Sequence, residues 1–174
     1  VAAYLLAAGV AASDDSFRSC GLIAIDTDNG NAASTMLDFL AGSAADAAAM
    51  QEMRVAGDAA LSAQRAARRT GWSMSSGDAD ATDAGGCSAG AAVAVRSCIG
   101  MAMPHIELGG SCGSRFHLRW VGSFAPGGFH LGSLYMRHSE GLSQANLDIL
   151  QEVAGVLLRL DGQWLIGGDF NFPP

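Results

Sequence analysis

Three features of this sequence predict an α+β domain. Two apolar, strand-like runs, Leu22 to Thr27 and Ala47 to Gln51, flank a segment with helical spacing. Three more strand-like runs, Ala89 to Arg96, Arg115 to Phe124 and Phe129 to Met136, lie between Gly-rich turns. Behind Ser143, the residues Leu147, Leu150, Val153, Leu157 and Leu160 recur at spacings of three and four, as one apolar helix stripe requires.

The first strand runs into Asp28, Asn29, Gly30 and Asn31, turn formers that end it at a polar loop. Ser34 or Thr35 is expected to cap a short helix with Met36, Leu37, Phe39 and Leu40 on its apolar face and Gly42 as its stop. The strand Ala47 to Gln51 hands over to Glu52, Met53, Arg54 and Val55, so a carboxylate stands where a core strand leaves the interior. Gly57 and Asp58 open a helix rich in Ala and Arg that ends at Thr70 and Gly71. Ser73 to Gly86 is polar and is expected to be a loop. The three strand-like runs of the second half are expected to be antiparallel neighbours in one sheet. Ser143 is a good N-cap for the next helix. Asp161 and Gly162 then turn the chain into a short buried strand, Trp164 to Ile166, which delivers Gly167, Gly168, Asp169, Phe170 and Asn171.

With 174 residues and 49% hydrophobic content the chain has room for one domain, although much of that content is Ala and the 23 Gly bury little. A net charge of -7 excludes a protein that grips phosphate backbones by bulk attraction, so any nucleic-acid contact must be local. Arg65, Arg68 and Arg69 stand at helical spacing and fit a solvated helix face better than a phosphate contact. Cys20, Cys87, Cys98 and Cys112 include no C-x-x-C pair and no His at zinc-finger spacing, so free thiols are expected. Val1 to Ala12 is apolar but shorter than a membrane span and lacks a Met start and a basic n-region; it reads as the start of an incomplete translation, with a truncated signal sequence as the alternative, and no membrane partner is expected. Gly109 to Ser114 has neither the Lys of a P-loop nor G-x-G-x-x-G spacing, and no G-x-S-x-G elbow occurs.

The chemistry gathers at strand ends. Asn29, Glu52 and Asp169 with Asn171 offer hard oxygen ligands and amides, the donor set of a Mg²⁺ site, with Mn²⁺ as the alternative ion. A phosphodiester repels an incoming hydroxide, so its hydrolysis calls for a cation, a group that orients water and donors for the developing charge. Glu52 suits the first task, Asp169 the second and Asn171 the third. Each residue alone has a plainer explanation: a helix-end carboxylate or an Arg54 partner for Glu52, a core aromatic for Tyr135, turn chemistry for Asp169 and Asn171.

Taken in order, Gln51-Glu52 after an apolar strand, Tyr135 closing a later strand and Gly168-Asp169-Phe170-Asn171 after another resemble the signatures of the endonuclease/exonuclease/phosphatase, or deoxyribonuclease-I-like, family. The resemblance spans about Leu22 to Asn171. Asp28-Asn29 stands where the family commonly has Trp-Asn, so the preceding aromatic is missing. The resemblance implies a two-layered β-sandwich flanked by helices, in four layers α/β/β/α. It implies that Asn29 and Glu52 hold the metal, Tyr135 contacts the scissile phosphate, and Asp169 and Asn171 orient the nucleophile and stabilise the transition state. The longer phrase Leu131 to Leu147, with Arg137, His138, Ser139 and Glu140, also resembles retrotransposon-derived endonuclease domains. That implies nicking of DNA, a reverse transcriptase domain downstream and a nuclear site of action, although no basic targeting run is present.

The family places an essential His, usually after Asp, near the end of its domain, and this sequence stops just after Asn171. The expected organisation is therefore an unassigned segment 1–20 followed by an incomplete domain 21–174, whose missing part would supply the catalytic His and the second sheet. Without them an apolar sheet face would stay open and activity would be weak or absent. His138 lies three residues beyond Tyr135, near the cleft; His105, His117 and His130 are read as strand or loop residues. Two other functions stay open: a phosphatase of the same fold acting on an inositol lipid or small phosphoester, which the acidic charge favours, and a non-catalytic remnant that binds a partner.

Overall fold

The computed structural model describes residues 22–106, 113–122 and 127–171. The apolar opening Val1 to Ala12, the thiols of Cys20 and Cys112, most of the 109–114 glycine stretch and the last three residues lie outside them. In chain order the elements are β1 (Ile25–Asn29), α1 (Ala33–Gly42), β2 (Ala47–Gln51), α2 (Gly57–Arg69), β3 (Trp72–Ser76), β4 (Asp80–Ala81), β5 (Cys87–Ser88), β6 (Ala92–Arg96), β7 (Met101–Ala102), β8 (Phe116–Val121), β9 (Phe129–Tyr135), α3 (Gln144–Leu157) and β10 (Trp164–Asp169). They form a sheet ordered β1-β2-β6-β3, a second ordered β10-β9-β8-β7, and a β4-β5 ribbon.

Side-chain alternation along the strands builds the layers. Ala48 and Met50 of β2, Ala92 and Ala94 of β6, and Trp72 and Met74 of β3 face Met36 and Leu40 of α1 and Ala63 and Ala67 of α2. The opposite faces, with Ile25, Ala47, Val93 and Val95, meet Val121, Phe129 and Leu131 of the second sheet. Phe116, Leu118 and Leu134 then cover Ile149, Val153 and Val156 of α3. The result is the four-layer α/β/β/α sandwich. The second sheet is thus already present before Asn171, where the sequence reading had expected it to lie beyond, and the apolar face of the first sheet is covered by it.

Several local expectations are corrected. Ser73 to Gly86 is a loop only in part: β3 runs through Ser76, with Trp72 and Met74 alternating with Ser73 and Ser75, and Asp80–Ala81 form one arm, β4, of the β4-β5 ribbon, while residues 77–79 and 82–86 are irregular as expected. Period-two burial outweighs the polar composition there. Trp72 is sealed on both sides, its Nε1 donating to the Leu40 carbonyl at 2.7 Å and the Arg96 guanidinium lying 4.2 Å from its ring centroid. Helix α1 starts at Ala33 and its N-cap is Ala32, two residues before the nearer predicted cap, Ser34, with no side-chain cap. Of the three strand-like runs of the second half, β8 and β9 are antiparallel neighbours, but β6 pairs with β2 and β3 in the other sheet.

In α3 the buried positions are Asn146, Ile149, Val153 and Val156, so the stripe is turned from the predicted one and Leu147 is exposed. Ile149, Val153 and Val156 share the same helical spacing, and Asn146 decides between the two stripes by taking a buried polar role. Ser143 does cap this helix, its Oγ accepting the Asn146 N–H at 3.3 Å. Finally, β10 runs to Asp169, parallel to β9, and is a half-exposed edge strand rather than a buried one, with Trp164 on the surface.

Candidate active site

Parallel pairing brings four strand ends to one mouth. In β1 and β2, Asn29 stands opposite Gln51, and in β9 and β10, Tyr135 stands opposite Asp169. All four are in phase with the residues that face the space between the sheets. The sheets approach closely beneath them, since a Cβ at Gly167 would lie 2.8 Å from the Ala49 Cβ. A buried polar clamp joins the layers at this level: Gln51 Nε2 donates to Ser133 Oγ at 2.9 Å, and the Ser133 hydroxyl donates to the Met50 carbonyl at 2.6 Å.

Above the clamp, Asn29 Nδ2 donates to Asp169 Oδ2 at 2.7 Å, and the Tyr135 hydroxyl donates to Glu52 Oε1. Arg54 Nη2 donates to Glu52 Oε2. The Asn171 N–H donates to Asp169 Oδ1 at 3.0 Å, and Asn171 Nδ2 to the Met136 carbonyl at 2.7 Å. Both Asp169 oxygens are thereby held in place. The five residues singled out from the sequence, Asn29, Glu52, Tyr135, Asp169 and Asn171, are brought together.

The backbone here is unusual. Glu52 has φ +58 and Arg54 φ +51, a left-handed conformation that costs a β-carbon-bearing residue on the order of 1 kcal/mol. Residues 89–90 hold it, with Met53 N donating to the Gly90 carbonyl and Arg54 N to the Ala89 carbonyl, both at 2.9 Å. Gly90 itself has φ +93, and a Cβ there would lie 3.1 Å from Arg54 N. The carboxylate of Glu52 is therefore aimed by a strained turn clamped from the neighbouring chain segment.

Burial alone would raise the Glu52 pKa, but the Tyr135 and Arg54 hydrogen bonds, the Arg54 charge and Asn29 outweigh it and hold the group below its ordinary value. Tyr135 is pushed up to about 12 by burial and then by the hydrogen bond and charge of Glu52. At neutral pH its hydroxyl is therefore protonated and acts as a hydrogen-bond donor.

Two further residues of the mouth escaped the sequence reading. Arg115 is buried beside Tyr135, 5.3 Å from its ring centroid, and its Nε and Nη1 have no hydrogen-bond partner. Burial and then the charge of Arg137 lower its pKa, yet a guanidinium stays cationic. Asn146 is wholly buried and ties down the loop after β9: its Oδ1 accepts Arg137 N at 2.8 Å, and its Nδ2 donates to the Arg137 and Gly141 carbonyls at 3.1 and 2.8 Å. An Asn146→Leu variant should lose about 2 kcal/mol, because three backbone groups lose their partner, and urea unfolding would measure it. Neither residue has a local sequence signal, since both act through partners far along the chain or across a helix cap.

The donor set fits a divalent cation. Among the described residues there is no group of three or more His, Cys, Asp or Glu placed to hold one. The hard donors are instead the carboxylates of Glu52 and Asp169 and the amide oxygen of Asn29. That Oδ1 is buried and has no hydrogen-bond partner, and the amide cannot be turned over without aiming its oxygen at Asp169. A buried acceptor left this way costs about 1–3 kcal/mol, which a hard cation would offset.

No protein-family model matches the sequence, and no curated protein does. Among solved structures, 17 chains match. One is the crystal structure of the AP endonuclease LMAP from Leishmania major, with 16% sequence identity and a TM-score of 0.54 over 82% of this chain. The likeness is one of fold. It agrees with the deoxyribonuclease-I-like sandwich that the motifs imply, and this chain covers 53% of that endonuclease chain. Among the described residues no helix is long and apolar enough to cross a membrane.

Proposed function

We propose that this chain is a metal-dependent phosphodiesterase that acts on DNA. The observation that carries the reading is the convergence of Asn29, Glu52, Tyr135, Asp169 and Asn171 on one mouth, with an orphaned amide oxygen among them. Three of the chain's ten basic residues, Arg54, Arg115 and Arg137, lie on or beside these groups, which gives an acidic protein a local attraction for phosphate. The fold neighbour is named as an AP endonuclease, which supports a nucleic-acid substrate.

Asn29 and Glu52 would hold Mg²⁺ or Mn²⁺, which when bound neutralises phosphate oxygens. Asp169, fixed by Asn29 and the Asn171 N–H, orients the attacking water with its remaining lone pairs. Tyr135, whose one hydroxyl proton goes to Glu52 in this structure, would turn it to the phosphate once Glu52 takes the cation, and the second N–H of the Asn171 amide can donate there as well. A retroelement origin, with a reverse transcriptase domain elsewhere in the protein, rests on the phrase Leu131 to Leu147 alone.

The test is Mg²⁺-dependent nicking of supercoiled plasmid and of an oligonucleotide with one abasic site. Chelation should abolish it, and Asp169→Ala should lower it by about 10²- to 10³-fold. Phosphate release from an inositol polyphosphate without DNA cleavage would establish the phosphatase alternative. No hydrolysis and no Mg²⁺ binding would leave only the partner-binding remnant.

A further inference from the structure

Arg115 is a buried cation with an ill-fitting partner. Its carbonyl accepts the Tyr135 N–H at 2.8 Å, which sets it level with Tyr135 one strand away. Its guanidinium lies 5.3 Å from the centroid of the ring whose hydroxyl reaches Glu52. Only 10% of the side chain's surface is open, and Nε and Nη1 have no hydrogen-bond partner. Nη2 meets Asp80 Oδ2 at 3.7 Å, close enough for attraction and too far for a hydrogen bond. A guanidinium holds an oxyanion best through parallel N–H···O bonds, and Asp80 makes none of them.

Asp80 is placed to leave. It stands on the first arm of the β4-β5 ribbon, where two residues pair with two, and its side chain is 48% exposed. Among the described residues its carboxylate has no other partner. The root of the ribbon is fixed without it, since Gly57 N donates to Asp78 Oδ1 and Ala79 N to the Val55 carbonyl, both at 3.0 Å. Rotation of one exposed side chain therefore frees Arg115 Nη2 while the backbone stays. The other charged side chains that act on Arg115 are Arg137 and Glu140, which pair with each other at 3.9 Å. Asp80 is thus the anion that serves Arg115 in the free chain.

We infer that Asp80 is an internal stand-in for a phosphate of the substrate strand: it occupies Arg115 in the free chain and yields the place when the strand binds. The inference rests on the phosphodiesterase reading, in which Arg115 draws phosphate to the mouth. A phosphodiester spreads one negative charge over two oxygens, as a carboxylate does, but it is not tethered to the ribbon and can approach to hydrogen-bond distance. The exchange leaves no state in which the buried guanidinium faces no anion. Its consequence is a weaker grip, because the strand binds only to chains in which Asp80 has turned away.

The test is the DNA affinity of the full chain without metal, so that no strand is cut, read by fluorescence anisotropy of a labelled duplex. Asp80→Asn should bind about fivefold tighter than the parent, the factor by which a loose, half-exposed ion pair competes. Asp83→Asn removes the same charge from the exposed tip of the same ribbon and should change Kd less than about twofold. In an Arg115→Met or an Arg115→Gln background the effect of Asp80→Asn should vanish. With Mg²⁺, the gain of Asp80→Asn should appear in KM rather than kcat, which a merely structural pair would not produce. Equal effects of Asp80→Asn and Asp83→Asn, no tightening, or tightening that survives the loss of Arg115 would overturn the inference and leave the hydrolase reading standing. A parent chain that neither binds the duplex nor cuts it with Mg²⁺ would overturn that reading, and the stand-in with it.

Discussion

Replacing Glu52 with Gln should lower Mg²⁺-dependent hydrolysis by about 10³- to 10⁴-fold, the largest loss expected of any single substitution in this chain. Glu52 is one of two carboxylates at the mouth, and each of its oxygens accepts one hydrogen bond, Oε1 from Tyr135 and Oε2 from Arg54, which leaves a lone pair on each for a cation. The amide keeps an acceptor for Tyr135 but turns an NH₂ toward the Arg54 guanidinium, so it removes a charge and sets donor against donor. Mg²⁺ binding measured by titration calorimetry should weaken at least about tenfold. Glu52→Asn separates catalysis from folding, because Asn tolerates the left-handed backbone that Glu52 adopts at φ +58. That variant should keep a melting temperature within a few degrees of the parent, about 1 kcal/mol or less, while its activity falls as far. The pH dependence has a definite sign. The folded pKa of Glu52 lies below its ordinary 4.5, so its stabilising contribution is complete above that value and is lost as pH falls through the lower folded value. Both variants should lack this acid-sensitive component. Unimpaired hydrolysis by Glu52→Gln would exclude Glu52 from the metal site.

The strands that carry the mouth were legible in the sequence because they combine an apolar run with a polar stop. Ala47 to Gln51 was read to the residue, Tyr135 closes its strand as expected, and the strand begun at Trp164 runs past the expected Ile166 to end on Asp169. What escaped was written in relations between distant residues. Whether β6 belongs with β2 or with β8 depends on sheet assignment, which local alternation does not encode. Ser73 to Gly86 resembled a loop because Ser, Asp, Gly and Ala make up nearly all of it, whereas the strand at its start is decided by Trp72 and Met74 finding a core under α1 and α2. In α3 two stripes of equal helical spacing competed, and the winner was set by Asn146 bonding to the loop after β9. Of the site itself, the acids and amides at strand ends were visible as chemistry without a purpose in folding. The groups that arrange them, Gln51 with Ser133 and residues 89–90 behind Glu52, became visible only when the sheets were stacked.

Between the sheets lies a second polar node, and it makes the fold sensitive to acid. His117 Nε2 lies 3.1 Å from Ser75 Oγ, which also accepts Arg119 Nε at 2.9 Å and Nη2 at 2.6 Å. With its lone pairs engaged by Arg119, Ser75 has only its own hydroxyl proton to offer, and His117 must accept it as a neutral ring. Protonation would put a donor where an acceptor is needed and a second cation beside Arg119. Burial, and then the Arg119 charge, accordingly hold His117 at about 3, against an ordinary 6.5. For a base whose folded pKa is depressed, stability is complete above pH 6.5 and declines as pH falls toward 3, because the unfolded chain binds the proton that the fold refuses. The full loss approaches roughly 5 kcal/mol, of which about 2 kcal/mol should be gone at pH 5. Urea unfolding of the parent at pH 7 and pH 5 measures this directly. His117→Gln, which keeps an acceptor near Ser75 and cannot be protonated, should flatten most of the dependence; His130, also depressed chiefly by burial, supplies a smaller remainder of the same sign. A parent whose urea midpoint is unchanged between the two pH values would mean that His117 takes up its proton inside the sandwich, which the hydrogen bonds at Ser75 forbid.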